Sequence, residues 1–466
     1  MARHAQSGSL PFDENAVAVV GVGLRLPGGI RDLTGLWDVL RSGRDMVGEV
    51  PPDRFEAARF ASEGSLSPGR TYTTAGGFLS GDISSFDAEF FGIPPKEASR
   101  VDPQQRLLLE CAVEAFDDAG IDPLGLRGSD TAVMMGVSSH DYGDLQQQQP
   151  RTCNPYTNSG QAGCNTANRL SYFFDFQGPS AAVDTACSSA LTAVHQACET
   201  LRAGHSRLAL AGGANVLLTP FAYAGFSQAS MLSRTGRCRP FSADADGYVR
   251  AEGAGVFVLK PLRAALDDGD RVHGVIVSSG VNADGRTAGL TLPSARAQAT
   301  LLREVYDRAG IDPRDVAYVE AHGTGTQAGD PVECRALGSL FAARGDRADR
   351  VPVGSVKSNL GHMEAASGVA GLLKALLVLR EGLIPATLHS EPLNGAIDFA
   401  ALGLDPVTVA RPLSAVPGRA VAGVNSFGFG GANAHVVVAP APPGVAAAGP
   451  REPGGSRQVF RRKLGK

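Results

Sequence analysis

Apolar and polar positions alternate in blocks along nearly the whole chain. Ala16–Val22 (AVAVVGV) is a continuous apolar run closed by glycine, which predicts a strand buried on both faces of a sheet. Similar short runs predict strands at Ala132–Gly136, Leu208–Asn215, Ala254–Leu259, Gly274–Ser279, Val316–Ala321, Val351–Val356, Val421–Val424 and Ala434–Val438. Between many of them apolar residues recur at helical spacing, predicting helices over Pro103–Ala119, Cys187–Ala203, Ala295–Ala309 and Gly368–Arg380. Lys374 is the only charge on Val369–Leu379, so that helix is expected to be buried; the run is too short to span a bilayer. Strands alternating with helices over the whole length predict a layered α/β architecture. No repetition of residues marks an internal duplication.

Composition narrows this further. With 43% hydrophobic and 19% charged residues, a chain of 466 residues supports a large packed core. Lys+Arg 43 against Asp+Glu 47 gives a net charge of −4, so no general nucleic-acid binding is expected. The seven cysteines contain no C-x-x-C pair, so neither a metal site nor a disulfide framework is expected. The opening residues MARHAQSGSLPFDEN lack the apolar core of a secretory leader, which predicts a cytoplasmic protein with no membrane attachment. Gly21-Val22-Gly23 begins like a dinucleotide fingerprint, but Leu26 and Pro27 break it, and no P-loop sequence occurs. The expected organisation is a loose segment 1–14, a first half 15–270, a second half 271–440, and an Ala/Pro/Gly-rich then basic tail 441–466.

Four stretches carry chemistry. In DTACSSAL (184–191), Cys187 opens a helical pattern that Asp184 or Thr185 could cap. A thiol there meets unsatisfied N–H groups and the positive end of the helix dipole, which predicts a lowered pKa and a nucleophilic thiolate. A small buried cysteine beginning an ordinary helix fits the same residues. In EAHGTGT (320–326), a strand runs into His322 and a Gly/Thr turn, where α/β folds place functional side chains. In KSNLGHMEAASG (357–368), Lys357 and His362 precede the apolar helix, a placement that is costly unless both are paired. In NSFGFGGAN (425–433), three glycines around Phe429 permit close backbone approach and N–H groups aimed at a substrate oxygen; a structural turn is the plainer alternative. Together, a cysteine, two histidines and a glycine-rich donor loop match what carbon–carbon bond formation from thioesters requires.

At these residues the chain resembles the β-ketoacyl synthases, and most closely the ketosynthases of bacterial type I polyketide synthases. The resemblance runs from Ala16 to Pro440 and extends through EAHGTGTQAGDPVE (320–333), NSFGFGGANAH (425–435), NADGRTAGLTLPS (282–294), MLSRTGRCRPFSADADGYVRAEGAG (231–255) and VDPQQRLLLE (101–110). It implies a thiolase fold, a five-layer αβαβα duplicated sandwich. It further implies that Cys187 accepts the acyl chain, and that His322 and His362 bind the malonyl thioester carbonyl and promote decarboxylation. Lys357 would orient and support the His362 region, with Glu333 and Glu364 as candidate partners of that region behind the reacting groups. Thr324 and Thr326 would contact the phosphopantetheine arm; the N–H groups of Cys187 and Phe429 would form an oxyanion hole, and Phe429 would gate malonyl access. The implied enzyme binds no cofactor, takes its substrates from an acyl carrier protein, and is a homodimer. The chain ends at Lys466, soon after the body, so the expectation is a free-standing ketosynthase meeting its carrier in trans. Met363 departs from the family, where a small polar residue is usual.

Three other readings compete. An acyltransferase moving chains between carriers without condensing is the first; such relatives commonly lack the second histidine, which is present here as His362. A non-catalytic chain-length-factor-like partner would have lost the cysteine. A biosynthetic thiolase would need a second cysteine near the C-terminal glycine loop, and none lies past Cys334.

Overall fold

The apolar run that opens the chain forms strand β1 (Val17–Arg25), buried at every position. In this computed structural model, residues 15–62, 67–344, 350–414, 420–442 and 445 are described. The expected loose segment 1–14 lies outside them. So does most of the 441–466 tail, although Ala441 and Val445 pack on the body.

After β1 come α1 (Pro103–Ala119), β2 (Ala132–Gly136), α2 (Asn165–Phe174), β3 (Ser180–Val183), α3 (Ser189–Arg202), β4 (Ala209–Asn215) and β5 (Gly253–Pro261). The same succession then repeats as β6 (Gly274–Ala283), α4 (Ala295–Arg308), β7 (Val316–Glu320), α5 (Gly329–Phe341), β8 (Val351–Gly354) and α6 (Ser367–Glu381). One added edge strand, β9 (Leu404–Pro406), precedes β10 (Val421–Phe427) and β11 (Ala432–Ala439). The strands form one sheet in the order β9-β8-β7-β10-β11-β6-β1-β5-β4-β2-β3. In the first half β2 runs parallel to β3 and β4, β4 is antiparallel to β5, and β5 to β1. In the second half β7 runs parallel to β8 and β10, β10 is antiparallel to β11, and β11 to β6. The chain is thus duplicated in topology although its residues do not repeat. The halves join where Val17–Val19 of β1 pair antiparallel with Gly274–Ile276 of β6.

Period-two alternation sorts the strand side chains between layers. Val17 and Val19 face the central core with α3 and α6, while Ala18 and Val20 face α1 and α2. In the second half Val436 and Val438 face the centre, and Val437 and Ala439 face α4 and α5. The layers are therefore outer helices, half-sheet, central helices, half-sheet, outer helices, the αβαβα sandwich expected. The central helices can touch because Gly368 of α6 presents no side chain: a Cβ there would stand 2.7 Å from Leu191 Cγ of α3. The charge on α6 is matched rather than exposed, since Lys374 Nζ lies 3.0 Å from Glu320 Oε2 with both side chains buried. Among the described residues no helix is long and apolar enough to cross a membrane.

Candidate active site

Cys187 lies in a one-turn 3-10 helix, Ala186–Ser188, that leads directly into α3. The predicted helix therefore begins two residues later than its apolar pattern suggested. Asp184 Oδ1 accepts the Ala186 N–H at 3.0 Å, and Ala186 adopts a left-handed φ of 54° that turns the chain sharply into the helix. Ser426 Oγ and Ser367 Oγ donate to the Cys187 carbonyl at 2.7 and 3.1 Å, tying the turn to β10 and α6. Cys187 keeps 9% of its surface accessible.

The sulfur's environment corrects one expectation. Burial pushes the thiol up to about 12, with Glu364 adding to the rise; the N–H groups of Phe429 and Cys187 and the Lys357 charge pull the other way. The resting sulfur is therefore protonated. Helix-end polarity was legible in the sequence, whereas the desolvation that outweighs it was not.

The same pair of N–H groups converges on the sulfur because of a tight glycine turn. Gly428 N–H donates to Ala432 O at 2.7 Å, Gly431 N–H to Gly428 O at 2.8 Å, and Gly431 has a φ of 86°. A Cβ on Gly428 would sit 2.4 Å from Thr185 O, so only glycine lets the Phe429 loop reach the nucleophile turn. The Phe429 ring is 42% exposed and meets Phe226 edge-on at 5.9 Å, so it stands at the surface above the nucleophile turn that its N–H reaches.

His322 follows β7, and its ring lies 5.4 Å from that of His362. Glu333 on α5 accepts the N–H groups of His322 and Gly323 at 2.7 and 2.8 Å and the Asn425 amide at 2.8 Å. Asn425 Oδ1 in turn meets His435 Nδ1 at 2.7 Å. Burial lowers the pKa of His322 well below the ordinary 6.5, helped by Lys357 and His362. His362 is lowered likewise by burial, Lys357 and Arg250, so both imidazoles are neutral. Glu364 N–H donates to His362 Nδ1 at 3.2 Å, which leaves the ring hydrogen of a neutral imidazole on Nε2. Lys357 is buried, and desolvation lowers its pKa against the pull of Glu320 and Glu333. Its charge acts on Cys187, His322 and His362 alike. Thr324 and Thr326 stand together, Oγ1 to Oγ1 at 3.1 Å, on the loop between His322 and α5.

Glu364, expected beside the His362 region, lies there: its N–H meets the imidazole, while Arg250 Nε and Nη2 hold its two carboxylate oxygens at 2.5 and 2.8 Å and Asn215 Nδ2 adds a bond at 3.2 Å. Arg250, Asn215, Ser367, Ser426 and Asn425 were not among the predicted site residues. Arg250 left a trace, a lone cation in the small and apolar run Tyr248–Ala251. Met363 is buried with its sulfur against Gly253, where a Cβ would stand 2.3 Å away; it packs rather than hydrogen-bonds.

One sulfur, two backbone donors and a facing pair of imidazoles, all within reach of the Lys357 charge, are groups suited to acyl transfer and enolate stabilisation. Two family models match the chain, the N-terminal domain of β-ketoacyl synthase over residues 14–265 and the C-terminal domain over 273–391. The chain belongs to the β-ketoacyl synthase family. This ketosynthase is 48% identical over 425 residues to one polypeptide of the phenolphthiocerol/phthiocerol polyketide synthase of Mycobacterium tuberculosis, covering 91% of this chain and 23% of that protein. It is 46% identical over 435 residues to another polypeptide of the same synthase, covering 93% and 24%. The chain thus spans about a quarter of the length of these curated relatives. Among solved structures, an oxazolomycin ketosynthase domain from Streptomyces albus superposes with a TM-score of 0.86 at 40% identity, over 94% of this chain and 76% of that one. The module 6 ketosynthase of the Bacillus subtilis bacillaene synthase gives 0.83 at 37% identity, over 91% and 72%.

Proposed function

We propose that this ketosynthase takes an acyl chain onto Cys187 and extends it with a malonyl-type carrier thioester by decarboxylative Claisen condensation. The observation that carries this reading is the convergence of two backbone N–H groups on one sulfur, beside two neutral imidazoles under the same Lys357 charge.

In loading, the Cys187 sulfur attacks the acyl carbonyl, a new thioester bond forms, and the carrier thiol leaves with the proton the sulfur gave up. The developing oxyanion lies between the N–H groups of Cys187 and Phe429. In the second half-reaction the malonyl C–C bond breaks, CO₂ departs, and the electron pair moves onto the thioester oxygen as an enolate. His362 Nε2–H and the His322 ring stabilise that oxygen by hydrogen bonding, a role open to neutral donors. The enolate carbon then attacks the acyl carbon on Cys187. Collapse of the tetrahedral intermediate expels the thiolate, which regains its proton from solvent, and the β-ketoacyl chain stays on the carrier.

The substrates arrive on the phosphopantetheine of an acyl carrier protein, and no further cofactor takes part. The hydroxyls of Thr324 and Thr326 face the arm, and the Phe429 ring gates malonyl access. A homodimer is supported by β3, which ends the sheet and pairs only with β2 among the described residues; a second copy would cover that edge.

Intact-protein mass spectrometry tests the reading. The wild type should gain the acyl mass from an acyl-carrier thioester, then release CO₂ and return an extended chain to the carrier when malonyl-carrier is added. Acylation that survives Cys187→Ala, or an acylated wild type that never releases CO₂, would sink it.

A further inference from the structure

The topological repeat places His362 where the first half has Asp184. Each stands two residues before a left-handed residue, Ala186 at φ 54° and Glu364 at φ 45°, that opens the 3-10 turn leading into a central helix. Each side chain accepts the N–H of that residue, Asp184 Oδ1 at 3.0 Å and His362 Nδ1 at 3.2 Å. The two turns are held differently. In the first half Ser189 braces its own turn, accepting Thr185 N–H at 2.9 Å and donating to Ala186 O at 2.6 Å. Its counterpart Ser367, three residues after Glu364, is instead committed to the Cys187 carbonyl at 3.1 Å. A non-glycine residue at positive φ is strained and persists only when its surroundings hold it. For Glu364 the hold comes chiefly from the two Arg250 bonds, with Asn215 Nδ2 adding a third on the same carboxylate.

The segment around Arg250 grips both sides of this turn. His362 N–H donates to Val249 O at 2.7 Å, and Ala251 N–H donates to His362 O at 2.8 Å. The Arg250 guanidinium clamps the Glu364 carboxylate with two bonds and lies over the rings of Tyr223 and Phe226, 5.0 and 5.6 Å from their centroids. Tyr248 meets the His362 ring edge-on at 5.1 Å.

We propose that Arg250 is a positioning residue for His362: by anchoring Glu364 it fixes the left-handed turn whose N–H holds the imidazole with its hydrogen on Nε2. This rests on the reading of His362 as a hydrogen-bond donor to the malonyl thioester.

The test uses Arg250→Met, Glu364→Gln and the double variant, which leaves neither charge buried alone should a single variant fail to fold. Three readouts are compared: acylation of Cys187 by mass, CO₂ release from malonyl-carrier, and the His362 ring tautomer by NMR of histidine-¹⁵N-labelled protein. In the double variant acylation should persist while kcat for CO₂ release falls about a hundredfold at unchanged KM. The His362 signal should change from one tautomer to a mixture, and Arg250→Lys should recover part of the rate. An unchanged tautomer and rate in the double variant would overturn the proposal, as would acylation and CO₂ release falling by one common factor. If His362→Ala released CO₂ at the wild-type rate, the underlying reading would fail instead; a rate that needs His362 but ignores Arg250 removes only this inference.

Discussion

The rings of His322 and His362 meet edge to face, with centroids 5.4 Å apart and planes at 82°. They come from one half of the duplicated fold and the nucleophile from the other, so the candidate site draws on both repeats. Their supports are separate: Glu333 holds the His322 backbone, whereas the Glu364 N–H holds the His362 ring itself. Both are neutral, which suits them to donate a hydrogen bond to a forming enolate and not to attract the malonyl carboxylate by charge.

His322→Ala and His362→Ala should therefore separate the two half-reactions. Each variant is expected to retain acylation of Cys187, since the sulfur and its N–H pair are untouched, and to lose about 10²–10⁴-fold in CO₂ release. Single-turnover assays with acyl- and malonyl-carrier measure the two steps independently. Loss of acylation in both variants would show that an imidazole serves the sulfur as a base.

The protonated resting sulfur makes a pH prediction. Because burial raises the Cys187 thiol to about 12, its thiolate fraction is small at neutrality and increases with pH. The rate of iodoacetamide alkylation at Cys187 should climb about tenfold per pH unit from pH 6 to 9, with no plateau. Peptide mapping separates this from the exposed Cys153 and Cys164. Lys357→Met removes a charge that favours the thiolate and should slow the reaction at every pH. A plateau near neutrality would mean that the N–H groups outweigh desolvation.

Local patterning was read from the sequence where caps and periodicity agreed. The helix expected at Pro103–Ala119 ends at those residues because Asp102 caps Gln104 N–H and Gly120 takes a left-handed φ of 70°. The strands Ser180–Val183 and Leu404–Pro406 were missed. The first is a run of small residues at the sheet edge, and the second is interrupted by Asp405 and closed by Pro406. The duplication was invisible because backbone geometry carries it: Asp184 and His362 share a role without sharing chemistry. Arg250 lies 114 positions before Glu364, a pairing that no local pattern encodes.

The buried pair of Lys374 and Glu320 predicts a stability effect of known sign. Glu320 also accepts Val356 N–H at 2.6 Å and Tyr318 O–H at 2.5 Å, so its carboxylate is fully enclosed. Lys374→Met removes the cation that is ion-paired with that charge and should cost about 3–5 kcal/mol in urea unfolding. Adding Glu320→Gln should return most of the loss, because the amide keeps an acceptor and carries no charge. A Lys374→Met protein as stable as the wild type would contradict the pairing.

The two glycines of α6 should respond differently to alanine, and the difference reports on the central layer. A Cβ on Gly368 would stand 2.7 Å from Leu191 Cγ and 3.0 Å from its backbone nitrogen, so α3 and α6 would have to separate. A Cβ on Gly371 would meet only Val424 Cγ1 at 3.3 Å and Glu320 Cγ at 3.5 Å, side-chain atoms that can yield by a few tenths of an ångström. Alanine in a helix interior gains roughly 0.5–1 kcal/mol over glycine from backbone entropy. Overpacking a core costs about 1–3 kcal/mol. Gly368→Ala should therefore lower the melting temperature, and it should also slow acylation, since Cys187 is tied to α6 through Ser367. Gly371→Ala should leave the melting temperature unchanged or raise it. Equal melting temperatures for the two variants would mean that the central helices do not touch at Gly368.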